Sequence, residues 1–299
     1  MSNTKRPGGW VKVQNLIRLA RPRHYAKNLL ILAPLFFGLE FENIALLQQS
    51  LLAFVAFSLA ASAIYSFNDL IDAESDRRHP VKQNRPIAAG QVSPQVARIF
   101  MLALLIGAWG ITLWLPNRVI LWIGLYVVLN LAYSIRLKHM AILDVFLISL
   151  GFLLRLEVGS TATGIPLSTW IVLLTFMLAL FIGLAKRRDD ILLKNSGKTA
   201  RAAIDGYNMD FVNHGMAVMA AVTTVAYIMY TLSPQVEARL HSEHIYLTVI
   251  FVVLGLLRYM QRALVENDTG SPVDILFRDR FIQLTVLGWV FTLWALLYW

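Results

Sequence analysis

The sequence predicts an all-α protein, a polytopic membrane bundle of about nine transmembrane helices. Hydrophobic residues make up 57% of the 299-residue chain, and the mean hydropathy is +0.59. Soluble domains contain about 45–50% apolar residues, so this excess indicates a lipid environment. Charged residues amount to only 15%. Because one span needs about 20 apolar residues, the length accommodates roughly nine spans and no separate soluble domain of normal size.

Apolar segments recur along the whole chain. They lie at residues 24–42, 44–68, 94–116, 118–135, 141–161, 168–186, 211–232, 244–261 and 281–299. Lys27, Asn28 and Pro34 interrupt the first of them. We therefore predict a single membrane domain over residues 1–299, with polar site loops at 69–93 and 186–210 on the cytoplasmic side.

A basic leader, residues 1–23, precedes the first apolar segment. Its sequence contains no compact apolar core followed by a cleavage site, so we expect no secretory signal peptide. If it is helical, Val13, Leu16, Ile17 and Ala20 share one face. Such a helix would lie on the cytoplasmic membrane surface. A disordered basic leader explains the composition equally well.

Positive charge alternates with the apolar segments. Twenty-four of the 27 Lys and Arg residues fall within residues 1–27, 69–98, 136–140, 186–206 and 258–280. Since positive segments stay in the cytoplasm, we expect a cytoplasmic N-terminus, nine crossings and an external C-terminus in a bacterial-type inner membrane. The same rule explains the net charge of +9 through membrane topology, so we expect membrane lipids and no nucleic acid as partners.

An acidic motif directly follows the second apolar segment. Asp69, Asp72 and Asp76 are spaced i, i+3 and i+7, and Asn68 and Asp72 are spaced i, i+4, which places their oxygens on one helical face. Adjacent like charges are unfavourable unless a cation lies between them. Oxygen ligands suit Mg²⁺, and phosphate oxygens commonly complete its coordination shell. The alternative is a solvated polar helix end. Cysteine is absent, which excludes thiolate catalysis and Cys-bound metals.

A basic run follows the acidic motif, from Arg77 to Gly90. It contains Lys82 and Arg85, and arginine forks and lysine charges match phosphate oxygens. Acids directly followed by bases indicate a metal–diphosphate site. The alternative is that this run only sets membrane topology. His79 alone does not distinguish the two interpretations.

Four further groups of charged residues remain candidates. Tyr133 to Lys138 is followed by Asp144 inside an apolar segment, and intramembrane carboxylates are by default functional or paired. Lys186-Arg187-Arg188-Asp189-Asp190 mixes cations and acids, and a membrane anchor explains its arginines but not its aspartates. The last two groups have open roles; they are Arg155 with Glu157, and Asp274 with Arg278, Asp279 and Arg280.

These motifs together resemble a known family. Asn68-Asp69-x-x-Asp72-x-x-x-Asp76 resembles the first aspartate-rich motif of the UbiA-type intramembrane prenyltransferase superfamily. The continuation through His79-Pro80, Lys82 and Arg85 to Gly90 is similar to its decaprenyl-phosphate phosphoribosyltransferase branch. Other stretches similar to that branch are Arg21-Pro22 through Lys27-Asn28, Tyr133 through Lys138 with Asp144, Ala185 through Arg188, and the tail around Asp274 and Arg278 to Arg280.

The resemblance implies a nine-helix bundle that transfers phosphoribose from phosphoribosyl diphosphate to a polyprenyl phosphate with the help of Mg²⁺. It implies metal-binding and catalytic roles for Asn68, Asp72 and Asp76. The substrate-binding residues that it implies are Lys27, Lys82, Arg85, Tyr133, Lys138, Lys186, Arg187 and Arg201.

The chain departs from the wider superfamily at one place. Prenyl diphosphate users carry a second Asp-x-x-x-Asp motif. Here the positions four residues after Asp189 and Asp190, where its second aspartate would stand, hold Leu193 and Lys194. This departure disfavours an aromatic prenyltransferase, which is the nearest alternative. A secondary transporter is a second alternative, but the sequence shows no internal repeat and its charged motifs gather on one face.

Overall fold

The computed structural model describes residues 9–79, 82–196, 202–240, 242–267, 275 and 278–298, and these residues are helical without any strand. The α-helices of this part are α1 Gly9–Ala20, α2 Ala33–Phe37, α3 Ile44–Ile71, α4 Ala73–Arg77, α5 Pro94–Thr112, α6 Arg118–Ile135, α7 Leu143–Thr163, α8 Thr169–Asn195, α9 Met209–Thr231, α10 Pro234–Leu240, α11 Val249–Leu264 and α12 Arg280–Tyr298. Short 3₁₀ helices cover Pro22–Leu32, Lys82–Asn84, Leu137–His139, Ala202–Gly206 and Ile245–Thr248.

Eight of the expected apolar segments are single long helices. In the described part of the chain, α3, α5, α6, α7, α8, α9, α11 with its preceding 3₁₀ turn, and α12 are long and apolar enough to cross a membrane. Large apolar side chains such as Ile106, Leu121 and Leu284 are mostly exposed on them. In a membrane these surfaces contact lipid, so the predicted all-α membrane bundle is confirmed.

The first apolar segment differs from the single helix expected over 24–42. It forms the 3₁₀ helix Pro22–Leu32 and then α2, with Pro34, which lacks a donor N–H, in the first turn of α2. Eleven residues at about 2.0 Å and five at about 1.5 Å extend over about 30 Å, close to the thickness of a bilayer core. Nine crossings therefore stay compatible with eight long helices.

The leader contains a helix rather than a wholly irregular chain. Helix α1 buries Leu19 against Ile87 and Val92, while Val13 and Ile17 are half exposed. The exposed apolar strip fits a helix at the membrane surface, which was one of the two interpretations of the sequence.

Polar side chains fix where the long helices begin. The side-chain oxygen of Asn43 accepts a hydrogen bond from the N–H of Leu46 at the start of α3. Ser93, Ser168 and Asn208 cap α5, α8 and α9 in the same way. These caps satisfy N–H groups that a helix terminus leaves without an intrahelical partner.

The chain forms two compact units. The first contains the residues up to Leu137 together with Leu154–Pro166, and the second contains Lys138–Leu153 and the residues from Leu167 onward. In the first unit, Phe57 of α3 belongs to the same buried apolar cluster as Val119 and Ile123 of α6. In the second unit, Phe181 of α8 packs with Met216 of α9 and Tyr259 of α11.

Candidate active site

The acidic motif lies where α3 ends. Helix α3 stops at Ile71, the chain bends at Asp72, and α4 begins at Ala73. The N–H of Asp72 donates to the carbonyl of Asn68 at 2.9 Å, and the N–H of Asp76 donates to the carbonyl of Asp72 at 2.8 Å. Because helical hydrogen bonding continues through the bend, residues seven apart keep the same face, as the spacing predicted.

One arginine joins two of the aspartates. The Nη1 atom of Arg85 lies 3.1 Å from Asp69 Oδ1 and 2.6 Å from Asp76 Oδ2. Both carboxylates are buried, while the Arg85 side chain is partly exposed. The basic run therefore folds back onto the acidic motif within the first unit, and Arg85 bridges two acids at the edge of the protein interior.

A second arginine reaches the same carboxylate. Arg21 Nη2 lies 2.5 Å from Asp69 Oδ1, and its guanidinium lies over the ring of Tyr65, 5.2 Å from the centroid. Burial lowers the pKa of Arg21 and the charge of Asp69 opposes that change; an arginine nevertheless keeps its proton. The backbone of Arg21 has φ 55° and ψ 58°, a left-handed conformation that is uncommon for any residue except glycine.

The sequence assigned no individual binding or catalytic role to three residues of this cluster, Arg21, Asp69 and Ser134, although Asp69 belongs to the acidic motif. The Ser134 hydroxyl of α6 contacts the side-chain amide of Asn68 and also lies 2.6 Å from the carbonyl oxygen of Asn130. The Arg-Pro pair before the first membrane segment was the available signal for Arg21. No spacing rule distinguishes Asp69 from Asp72, because either can face the interior.

The donor set of the first unit suits a divalent cation held jointly with phosphate. Asp69 Oδ2 is a buried oxygen without a hydrogen-bond partner in the described residues. Asp69 and Asp76 are also close enough to share one cationic group. Within the described part of the chain, no three acidic or histidine side chains form a metal-binding group. Mg²⁺ commonly uses one or two carboxylates and completes its shell with phosphates and water.

The other predicted residues of the first unit are half buried. Lys27 lies in the 3₁₀ helix Pro22–Leu32, and Lys82 begins the short 3₁₀ helix that precedes Arg85. Asp72 lies at the bend between α3 and α4, and Tyr133 lies in the last turn of α6, next to Ser134. All four residues therefore lie on, or next to, chain segments that contribute Arg21, Asp69, Asp76 or Arg85 to the charged cluster.

A separate charged cluster forms inside the second unit. Arg187 is almost wholly buried, its Nε lies 2.6 Å from Asp144 Oδ2, and its Nη1 lies 2.5 Å from Asp190 Oδ2. The Tyr207 hydroxyl donates to Asp144 Oδ1 at 2.6 Å and accepts from the N–H of Ile142 at 2.6 Å. Burial raises the pKa of Tyr207, and the hydrogen bond to Asp144 raises it further, so its hydroxyl stays protonated.

This arrangement changes the interpretation of the second basic run. Residues 186–195 belong to helix α8, so the site loop expected at 186–210 begins only after Asn195. The Nε and Nη1 atoms of Arg187 already face carboxylates, and the side chain is almost wholly buried. Lys186 is half buried next to it on α8, and Lys138 is half buried in the 3₁₀ helix Leu137–His139. Arg201 lies outside the described residues.

A third charged cluster joins the end of α11 to the start of α12. Arg258 Nη2 lies 2.7 Å from Asp279 Oδ2, and Arg258 Nη1 lies 2.9 Å from Glu266 Oε1. Asp279 Oδ1 also accepts from the N–H of Ile282 at 3.1 Å. These contacts make Asp279 a helix cap and an ion-pair partner. Asp274 lies outside the described residues.

Comparison with known proteins gives the family. The model of the UbiA prenyltransferase family matches residues 29–284. The chain is 34% identical to a decaprenyl-phosphate phosphoribosyltransferase of Mycolicibacterium smegmatis, over 96% of this chain and 93% of that one. It is 32% identical to the protein of that name from Corynebacterium glutamicum, over 97% and 88% of the two chains.

The fold also matches solved structures. A UbiA homologue from Archaeoglobus fulgidus, bound to DMAPP and Mg²⁺, superposes with a TM-score of 0.70 at 19% identity, over 95% of this chain and 100% of that chain. This likeness concerns the fold, and the aspartate motif at the end of α3 lies within the matched family region. From the sequence and the structure together, the chain belongs to the UbiA prenyltransferase family.

Proposed function

We propose that this protein is a phosphoribosyltransferase that moves phosphoribose from phosphoribosyl diphosphate to a polyprenyl phosphate of the decaprenyl type. The main structural support is the interleaving of Arg21 and Arg85 with Asp69 and Asp76 at the end of α3. Acids that can hold a metal and arginines that can hold phosphate are thus adjacent. The relatives with that name, which align over nearly the whole chain, support the same donor and acceptor.

In the proposed reaction, an oxygen of the acceptor phosphate attacks the anomeric carbon of the donor. The bond from that carbon to the diphosphate breaks, and diphosphate leaves with the electron pair. An acceptor phosphate that is already ionised needs no general base. Mg²⁺, when bound, would supply positive charge to the leaving diphosphate.

The protein's residues would orient these groups. We propose that Asn68, Asp72 and Asp76, with Asp69 beside them, hold the metal side of the diphosphate. Arg21 and Arg85 are partly exposed, so they can turn from the carboxylates to phosphate oxygens. Lys27, Lys82 and Tyr133 would line this donor side of the first unit. Ser134 would help to hold the Asn68 side chain in place through their contact.

The second unit would contribute charges of a different kind. We propose that Lys138 and Lys186 contact phosphate, because they are half buried rather than enclosed. For Arg187 we propose a supporting role within the second unit, where its two short ion pairs hold Asp144 and Asp190 in place. Arg201 stays a proposed phosphate contact on sequence grounds alone.

The membrane topology follows from the same proposal. The eight long apolar helices make this an integral membrane protein. We propose a cytoplasmic N-terminus, with the soluble donor entering from the cytoplasm and the acceptor tail entering from the bilayer of a bacterial inner membrane. An external C-terminus follows if the segment Pro22–Phe37 crosses the membrane.

The test uses purified protein, Mg²⁺ and radiolabelled phosphoribosyl diphosphate, with and without polyprenyl phosphate. We expect label to enter the lipid phase only when metal and acceptor are present, and not with the Asp72→Ala variant. If no label moves, while a prenyl diphosphate is consumed with an aromatic acid, the protein is an aromatic prenyltransferase and the proposal is overturned.

A further inference from the structure

The segment from Arg21 to Ile31 runs antiparallel along α3 in the first unit. Arg21 contacts Asp69, Tyr25 contacts Ser62, and Asn28 contacts Ser58. The residue numbers of the contacting pairs rise along the 3₁₀ helix while they fall along α3, so the two segments run in opposite directions. Contacts three or four residues apart on the first segment place these side chains on one face of it.

Each step of this contact series is a specific polar or close-packed contact. Ser62 Oγ lies within 2.9 Å of the carbonyl oxygen of Ala20 and 2.8 Å of that of Ser58, and both of these atoms only accept. The Ser62 proton is therefore used there, and the Tyr25 hydroxyl is the donor in its 2.8 Å bond to Ser62. At the deeper end, a Cβ on Gly159 would overlap the carbonyl oxygen of Ile31.

A buried arginine holds the deeper part of the segment. Arg155 Nε donates to Asn28 Oδ1 at 2.8 Å, while Asn28 Nδ2 donates to Ser58 Oγ at 2.9 Å. The Arg155 guanidinium carbon lies 4.8 Å from the ring centroid of Phe57 and 5.3 Å from that of Tyr126. Asn28 thus receives one bond and gives another, which fixes its amide between α7 and α3.

The opposite end of the segment carries the strained residue. Arg21 has a left-handed backbone and immediately precedes the 3₁₀ helix, so the position of that helix sets where its guanidinium points. Residues held in sparsely populated backbone regions persist only when their surroundings over-determine them. The contacts of Tyr25, Asn28 and Ile31 supply that constraint.

We propose that Asn28 and Arg155 are positioning residues: they hold the Pro22–Leu32 helix against α3 and so keep Arg21 aligned on Asp69 for the donor diphosphate. This inference rests on the proposed function. Ser58 lies 11 residues before Asp69 on α3, so Arg155 acts over about 16 Å. It touches neither substrate nor metal in this scheme.

The test is a double-mutant cycle on the full-length protein, with inorganic diphosphate and Mg²⁺ as the calorimetric probe. Arg155→Met should raise the Kd of diphosphate about tenfold, whereas the same change in an Arg21→Lys background should raise it less than about twofold. Arg155→Lys keeps a donor for Asn28 and should restore most of the affinity. Asn28→Ala should couple to Arg21→Lys in the same way.

Ser149→Ala is the matched control, because it removes a buried hydrogen bond from the same helix, the one that Ser149 Oγ donates to the carbonyl of Val145 at 3.0 Å. It should leave diphosphate affinity unchanged. Equal effects of Arg155→Met in both backgrounds would show a general loss of structure and overturn the inference while leaving the proposed function intact. If wild-type protein binds neither inorganic nor phosphoribosyl diphosphate, the proposed function fails and this inference fails with it.

Discussion

The charged clusters of the two units contain similar residues in opposite environments. In the first unit, the Arg21 and Arg85 side chains are 23% and 25% exposed, and the carboxylates of Asp69 and Asp76 lie beneath them. In the second unit, Arg187 and Asp144 are 1% and 0% exposed. An exposed arginine can exchange a carboxylate for a phosphate, whereas an enclosed one must first break a buried ion pair.

The difference indicates a division of labour between ligand contact and support. Breaking a buried pair leaves a charge without compensation, which is far more costly than rearranging a partly solvated one. The first cluster therefore suits the binding of a charged donor, and the second suits the fixing of helix α8. Sequence alone shows only that both segments mix acids and bases.

The largest effect should come from the first cluster. Asp76→Asn should lower kcat/KM for phosphoribosyl transfer by about a thousandfold, because it removes a charge directed at the metal–diphosphate site. The labelled-donor assay measures it, with thermal stability recorded in parallel. We expect a small change in stability, since Arg85 keeps its contact with Asp69.

Glu74→Gln is the matched control for that variant. Glu74 lies two residues before Asp76 on α4, but it is exposed and pairs with Arg77 and Arg78 at the surface. Its activity should stay within about twofold of wild type, since exposed pairs contribute little. Equal losses in both variants would mean that general surface charge, rather than the cluster, controls activity.

In the second cluster the main effect should be on folding. Asp144→Asn leaves the buried guanidinium of Arg187 with one carboxylate fewer and should reduce the free energy of unfolding by about 3 kcal/mol. Thermal unfolding in detergent measures the change. The remaining folded fraction should keep its affinity for inorganic diphosphate, because in our proposal Arg21 and Arg85 contact the diphosphate and Asp144 does not.

The comparison for this variant is Asp205→Asn. Asp205 pairs with Lys194 in the same unit, but both side chains are mostly exposed, so the change should cost less than about 0.5 kcal/mol. If Asp144→Asn instead left stability unchanged and abolished diphosphate binding, the second cluster would be part of the donor site, and our division of roles would be reversed.

The long helices and the acidic face were predictable from local pattern. Apolar length determined the eight spanning helices, and helical periodicity placed Asp69 and Asp76 on one side. The family resemblance also followed from motifs, and the match to the family and to whole-chain relatives confirms it. These features depend on residues within a few turns of one another.

The choice between carboxylates was not predictable. Asp69 rather than Asp72 is enclosed because Arg21, 48 residues earlier, folds onto it. Likewise, Arg187 pairs with Asp144, 43 residues earlier, and Asp144 in turn accepts from Tyr207, 63 residues later. Such pairings depend on how helices pack, and spacing along one helix carries no information about them.

The close approach of Gly159 on α7 to the backbone of Ile31 gives a third prediction. Gly159→Ala should destabilise the protein by about 2 kcal/mol, because the added methyl overlaps the carbonyl oxygen of Ile31. Gly124→Ala, where nothing lies within 4 Å of the new atom, should be neutral or slightly stabilising. Thermal unfolding compares them. Equal stabilities would show that the 3₁₀ segment moves away easily and does not hold Arg21.

The smallest effect should appear in the pH dependence of the cluster between α11 and α12. Burial alone would raise the pKa of the Asp279 carboxyl. The hydrogen bonds from Arg258 and the Ile282 N–H, together with the charge of Arg258, outweigh burial and lower this pKa below its ordinary value of 3.8. The folded protein therefore binds this proton less readily than the unfolded chain. The stabilisation is fully present above pH 3.8 and is lost as the pH falls through the lowered pKa.

Asp279→Asn should consequently have a lower Tm than wild type at pH 6. The difference in Tm should disappear as the pH falls through the lowered pKa of Asp279. Thermal unfolding in an acid-stable detergent follows the difference, and Glu74→Gln should keep the wild-type profile. A constant difference between Asp279→Asn and wild type at every pH would mean that the carboxylate charge does not supply the stability, because asparagine keeps an oxygen that can accept from the Ile282 N–H and cap α12. The ion pair with Arg258 would then contribute little, unlike the arginine pairs proposed to matter in the other two clusters.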